Sequence, residues 1–364
     1  MVSRPDTSNY RELFVSDTPM MDMRAPVEFE QGAFPFARSL PLLSDEERAQ
    51  VGVEYKERGQ DAAIRLGNQL VSGPLREERL AQWCQFAKEN SNGYLYCFRG
   101  GLRSSTVRQW LHEAGIDYPL VIGGYKAMRQ FLLEELERSV ERIDLVLIAG
   151  KTGTGKTRVI EQLPRSVDLE GLAVHRGSSF GQLLEPQPRQ IDFENSLSIA
   201  LMKLLTGGKQ RVYLEDESRL IGRLYLPESL QEKMKAAPML VVEYGLADRV
   251  EVVLEDYIVD LGGRYAGRYG GEGHQLHKER LQQDLFRIRK RLGGERYQDV
   301  NTLMSAAFDQ QACDGNTSAH RKWIAILLGQ YYDPMYEYQL SKRGGDVLYR
   351  GAREGIIEWA SRAA

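Results

Sequence analysis

Two short stretches of this chain have the residue types and spacing to do chemistry on anions and sulfur. The first, Gly150-Lys151-Thr152-Gly153-Thr154-Gly155-Lys156-Thr157, satisfies G-x-x-x-x-G-K-[ST]. Its glycines let backbone N–H groups close on phosphate oxygens, Lys156 neutralises their charge, and the Thr157 hydroxyl is placed to ligate Mg²⁺. A glycine-rich turn that binds nothing is the plain alternative; the apolar strand expected before it and the helix expected after it argue against that. Downstream, Glu215-Asp216-Glu217 follows the apolar run Val212-Tyr213-Leu214, where nucleotide-binding folds place a metal-organising carboxylate. Asp216 is the first choice as partner of Thr157 on a metal and Glu215 the second, against the alternative of a solvated acidic turn. Arg219 and Arg223 could clamp a diphosphate or be ordinary surface arginines.

The second stretch is Cys97-Phe98-Arg99-Gly100-Gly101-Leu102-Arg103-Ser104, which follows the apolar run Gly93-Tyr94-Leu95-Tyr96. Gly100 and Gly101 let successive N–H groups turn inward, Arg99 and Arg103 add positive charge, and a helix starting near Ser104 aims its N-terminus at the same point. All three favour thiolate over thiol, which makes Cys97 the expected nucleophile with Arg99 and Arg103 as its helpers. A small buried hydrophobe is the bland reading, and it suits Cys84 and Cys313 better. No histidine is placed in sequence to act as base, so the loop's own field must activate the sulfur, which would carry or attack a sulfane atom.

These loops need elements to hold them. Strands are expected at Met20–Met23, at the run ending on Cys97, at Pro119–Ile122, Asp144–Ala149, Leu172–Val174, Val212–Leu214, Met239–Val242 and, less regularly, Met335–Leu340. Helical patterns follow Pro26 and cover 45–56, 62–71, 76–89, 104–113, 125–137, 156–163, 193–205, 247–257 and 354–359. The alternation argues for an α/β protein with parallel sheets covered on both faces. With 364 residues, two or three domains are expected, and the charged segment Glu134–Arg138 places a boundary near residue 140. Between Arg264 and Arg296 nine basic residues face four acidic ones, although the whole chain carries a net charge of −3. No apolar run is long enough to span a bilayer and the start lacks an apolar signal core, so a cytoplasmic protein without membrane contact is expected.

Asp22-Met23-Arg24 with Pro26-Val27-Glu28-Phe29, and the Cys97–Ser104 loop, resemble a rhodanese domain with its cysteine loop. That unit, followed by a phosphate-loop domain with Arg176-Gly177-Ser178-Ser179-Phe180-Gly181 and Glu215-Asp216-Glu217-Ser218, closely resembles the bacterial tRNA 2-selenouridine synthases over nearly the whole chain. The resemblance implies a rhodanese-like domain over 1–139 and a P-loop NTPase-like parallel-sheet domain over 140–364, the latter including a helical basic region at about 264–330. It implies two transfers on the wobble 2-thiouridine of tRNA. Geranyl diphosphate would first alkylate the thiocarbonyl sulfur, and selenium from selenophosphate would then replace the S-geranyl group. Cys97 would serve the selenium step and the 150–157 loop would hold the diphosphate, with Mg²⁺ as the expected cofactor. A selenophosphate-supplying enzyme is an implied partner. Phosphate contacts to tRNA are expected from Arg287, Arg289, Lys290, Arg291 and Arg296, with Tyr297 beside them. The alternative function is an ATP-dependent tRNA sulfurtransferase working through a Cys97 persulfide. The methionine-rich Met20-Met21-Asp22-Met23 departs from the branched aliphatic residues expected there.

Overall fold

The computed structural model describes residues 4–205 and 210–362. It divides into two compact units, Met1–Ser139 with Arg189–Thr206, and Val140–Pro188 with Gly207–Ala364. Both are α/β and both contain a parallel sheet.

The first unit is built on β1 (Met20–Asp22), β2 (Ala37–Ser39) and β3 (Tyr94–Tyr96), in the order β2-β1-β3 with all pairs parallel. The methionines in and just after β1 are buried: Met21 and Met23 pack with Trp83 and Leu95, and Met20 packs with Phe14 and Phe34. A flexible thioether fills both faces of this short strand. The expected strand at Pro119–Ile122 is reduced to single bridges, Leu95 to Leu120 and Thr7 to Val121, because a proline precedes it and Gly123-Gly124 ends it.

The helix Gln190–Leu204 belongs to this first unit, whereas a single break near residue 140 puts it in the second. Its Ile199 and Met202 complete a core with Phe14, Phe34, Met128 and Leu132. Asp192 accepts from the Ala33 amide at 2.7 Å, Asn195 donates to the Ala33 carbonyl at 2.7 Å, and Ser198 donates to the Leu132 carbonyl at 2.7 Å.

The second unit carries β4 (Asp144–Gly150), β5 (Ser166–Val167), β6 (Arg211–Glu215), the hairpin β7 (Leu220–Ile221) and β8 (Leu224–Tyr225), β9 (Met239–Val242) and β10 (Val347–Gly351). The main sheet is wholly parallel in the order β10-β9-β4-β6-β5. β4 is buried at every position after Asp144, as a central strand covered on both faces must be. Val146, Ile148, Tyr213 and Leu240 pack there with Val159, Ile160 and the last helix's Ile356 and Ala360.

Two expected strands do not form: Leu172–Val174 is the end of a short helix and a turn, and Met335–Leu340 is helical. Asp168 caps the Gly171 amide at 2.7 Å and turns Leu169–Leu172 into a short helix. Asp333-Pro334 starts the helix Asp333–Leu340, where proline in the first turn outweighs the alternating pattern that suggests a strand. The edge strand β10 escapes the sequence reading because its residues are mostly exposed and carry no alternation.

Between β9 and β10 the unit is helical. Leu246–Leu254 runs through a π-helical turn at Glu255–Asp260 into Leu261–Tyr269. Gly273–Leu292 and Gly294–Asp314 follow, then His320–Leu327, a second π-helical turn at Leu328–Tyr332, and Asp333–Leu340. No helix among the described residues is long and apolar enough to cross a membrane.

Candidate phosphate and thiol sites

The loop 150–157 leaves the C-terminal end of the central strand β4 and enters the helix Lys156–Ile160. Gly153 and Gly155 have φ of 83° and 74°, a region that side chains with a Cβ avoid. At Gly153 a Cβ would also stand 2.8 Å from the Arg249 carbonyl oxygen. Lys156 folds over the loop and donates to the Gly150 carbonyl at 3.3 Å. Lys151 points away, to Glu337 at 2.7 Å and Asp333 at 3.4 Å.

β6 lies beside β4 in register, Ile148 opposite Glu215, so the end of β6 delivers Glu215 to the loop. The Thr157 hydroxyl stands 3.1 Å from Glu215 and 3.3 Å from Glu170. Burial and the neighbouring Glu170 and Asp168 push the Glu215 carboxyl up to about 8. Burial also raises Glu170 and Glu217, and Lys156 opposes the rise in both. Asp216 is held by Arg343 in an ion pair, and burial raises its carboxyl despite that partner. Among the described residues no three histidine, cysteine or carboxylate side chains form a ready metal cluster.

The loop opens into a cavity of about 1060 Å³ with three kinds of wall. Lys156, Arg219, Lys342 and Arg343 line its cationic side, Glu170, Asp216 and Glu217 its acidic side, and Tyr257, Tyr331, Tyr332 and Tyr336 its aromatic side, with Met335 among them. The two π-helical turns supply Tyr257, Tyr331 and Tyr332; such turns recur at functional sites. Ser178 of the Arg176–Gly181 stretch hydrogen-bonds Tyr257 at 2.8 Å, while the buried hydroxyls of Tyr331 and Tyr336 have no partner. Of the two arginines expected to clamp a diphosphate, Arg219 lines the cavity and Arg223 instead donates to the Gln187 carbonyl.

In the first unit Cys97 follows β3 and is 3% exposed, packed with Leu95 and Val107. Its sulfur accepts the Gly101 amide at 3.2 Å and lies 3.2 Å from the Ser104 hydroxyl. Gly101 is the N-cap of the helix Leu102–Glu113, so the helix N-terminus does face the sulfur. Arg103 is engaged by Glu28 at 3.2 Å through its second nitrogen, and the exposed Arg99 lies over the Phe98 ring at 5.8 Å. Beneath the loop, Gly124 comes so close that a Cβ there would be 2.3 Å from the Cys97 carbonyl oxygen.

A family profile described as the tRNA 2-selenouridine synthase AAA domain matches residues 143–364. Proteins named tRNA 2-selenouridine synthase align along almost the whole chain. That of Marinobacter nauticus is 52% identical over 361 residues, 99% of this chain and 98% of its own. That of Alcanivorax borkumensis is 53% identical, covering 97% of this chain and 98% of its own. The chain belongs to the tRNA 2-selenouridine synthase family. A solved chain, the N-terminal domain of an ATP/GTP binding protein from Clostridium difficile 630, is 33% identical over 32% of this chain and 90% of its own, at a TM-score of 0.30.

In this family member the basic candidates separate. Arg291 lines the phosphate-loop cavity. Arg287 pairs with Asp284 at 2.8 Å, and Lys290 and Arg296 are exposed. Several site residues have no sequence signal strong enough to find them. Glu170 sits on a short helix after a cap, Arg249 is buried under the loop and donates to Thr152 at 3.2 Å, and the paired Tyr331-Tyr332 reads as ordinary core. Arg343 could have been found, since Lys342-Arg343-Gly344-Gly345 joins charge to a flexible turn.

Proposed function

We propose that this chain converts 2-thiouridine at the wobble position of tRNA to 2-selenouridine in two transfers. The observation that carries the first is the cavity in which an anion-binding loop meets an aromatic wall, since it matches an amphiphile with a diphosphate head and an unsaturated hydrocarbon tail. The diphosphate would lie against the loop amides, Lys156, Arg219 and Arg343, with the geranyl chain along Tyr257, Tyr332 and Met335. The C1–O bond breaks as the C1–S bond to the thiocarbonyl sulfur forms, diphosphate leaves with the electron pair, and the base sheds its N3 proton. The cationic loop stabilises the charge gathering on the leaving group.

Mg²⁺, when bound, supplies further positive charge to the diphosphate. The residues present fit it, because Thr157 with Glu215 or Glu170 offers the one or two carboxylates that Mg²⁺ takes alongside substrate oxygens, and the raised carboxyl of Glu215 marks a place where a cation is favoured. Asp216 is the alternative ligand, at the cost of its pair with Arg343.

The first unit is read as rhodanese-like, and Cys97 as the residue serving the second transfer, in which the selenium of selenophosphate adds to C2, the C2–S bond breaks as geranylthiol leaves, and water then cleaves the Se–P bond to release phosphate. The Gly101 amide and the helix N-terminus at its sulfur support that reading. The test is purified protein with geranyl diphosphate, Mg²⁺ and thiolated tRNA, followed by selenophosphate, with nucleoside mass spectrometry. S-geranyl and then selenouridine are expected without ATP. Modification that requires ATP and ignores geranyl diphosphate would replace this reading with a sulfurtransferase.

A further inference from the structure

The helix Gly273–Leu292 carries an exposed aromatic ring that its packing does not require. Leu285 and Ile288 on either side of it are buried at 0% and 5%, while Phe286 is 49% exposed. The Arg289 guanidinium lies 3.6 Å from the centre of the Phe286 ring, and its Nη1 donates to the Phe286 carbonyl at 2.8 Å. Tyr297 meets the same ring edge-on at 6.2 Å. Phe286 also lines a shallow groove of about 520 Å³ with Glu279, Gln282, Gln283 and Arg287.

The groove leads toward the phosphate-loop cavity. Arg287 in the groove and Arg291 in the cavity wall are four residues apart on one face of the helix. At ~1.5 Å per residue that is about 6 Å along the axis, within the reach of two stacked nucleotides at ~3.4 Å each. This stretch of helix is net positive: Arg280 and Arg287 share the carboxylate of Asp284, Glu279 in the groove adds one negative charge, and Arg289, Lys290 and Arg291 add three positive ones. A flat hydrophobic ring under a guanidinium, beside glutamine amides and a run of cations, is the chemistry of single-stranded RNA recognition.

We infer that Phe286, with Arg289 stacked on it, is a platform for an unstacked base of single-stranded RNA, and that the Arg287–Arg291 face leads the adjoining nucleotide into the cavity. This rests on the reading of tRNA as substrate. Stacking supplies affinity that is insensitive to salt, whereas the cations supply affinity that salt removes.

The experiment is fluorescence anisotropy of the full chain with a labelled, thiolated anticodon stem-loop across a salt series. Phe286→Ala should weaken binding roughly tenfold without changing the slope of log affinity against log salt. Phe286→Trp should keep the affinity, and Lys290→Ala should flatten the slope by about 0.7. A blunt RNA duplex should lose nothing on Phe286→Ala. Binding by Phe286→Ala within twofold of the unaltered chain, or an equal loss on the duplex, overturns the platform and leaves the substrate reading standing. No binding of thiolated RNA by the unaltered chain overturns both.

Discussion

Single side chains divide the proposed chemistry, so their replacements should have different products. Cys97→Ala is expected to leave geranylated tRNA accumulating, while Lys156→Ala should slow geranylation itself by about 10²-fold or more, the scale on which loss of one transition-state contact is felt. Nucleoside mass spectrometry distinguishes them; an equal block of geranylation by both would break the assignment of steps. Cys97 is 3% exposed, so little of its sulfur is accessible in this structure. Glu215, not Asp216, reaches Thr157, so Glu215→Gln should raise the Mg²⁺ concentration needed for half-maximal geranylation more than Asp216→Asn does. The reverse order would return the metal to Asp216. A pH response comes from the helical part. Burial, with His277 and His274 nearby, lowers His320 to about 4, below its usual 6.5. Its neutral ring accepts from Trp323 at 3.0 Å, and in acid the unfolded chain takes up a proton that the folded ring does not. Its contribution is therefore complete above about pH 6.5 and is lost as pH falls toward 4. The melting temperature should drop across that window, and His320→Asn should melt lower at pH 7 but with a shallower dependence on pH. An unchanged dependence would remove His320 as its source.

At the scale of elements, the phosphate loop is held from below. Arg249 donates to Asp333 through both terminal nitrogens at 2.7 Å and to the Thr152 carbonyl at 3.2 Å, tying the loop to the helix that carries Met335 and Tyr336. Removing the Arg249 side chain, itself almost fully buried, empties the space under the loop and leaves the part-buried Asp333 with only the Lys151 ammonium at 3.4 Å. Arg249→Ala is thus expected to lower the melting temperature markedly and to weaken diphosphate binding, both readable by calorimetry; an unshifted melt would show the pair to be incidental. This tether also marks where sequence reading ends. The 150–157 loop, its strand and its helix are legible because eight consecutive residues contain the whole device. Glu170, Arg249, Tyr332 and Arg343 are not, because their meaning arises only when separate elements bring them to one cavity. The Met335–Leu340 segment misleads for a local reason, as its apolar residues alternate over a span too short to tell a strand from a helix. In the first unit the Cys97 loop is legible, but the support of Gly124 beneath it is not.

For the molecule as a whole, the helix Gln190–Leu204 returns to a unit that the chain has otherwise left at Ser139. Without it, Phe34, Met128 and Leu132 lose the cover of Ile199 and Met202, and the Ala33 amide and carbonyl lose their partners. A fragment ending at Arg142 should therefore melt well below the first unit of the full chain and bind a hydrophobic dye. Supplying 189–205 on a short linker should restore it, and a cooperative, dye-free fragment would contradict that. The same connectivity reaches back to synthesis on the ribosome. Translation delivers β4 and the phosphate loop before it delivers the helix that closes the first core, so the nascent N-terminal unit must wait, incomplete, while part of its neighbour is already outside the tunnel. Slowing translation between residues 140 and 190 would prolong that exposed interval, and a chaperone that shields apolar surface would find its client there.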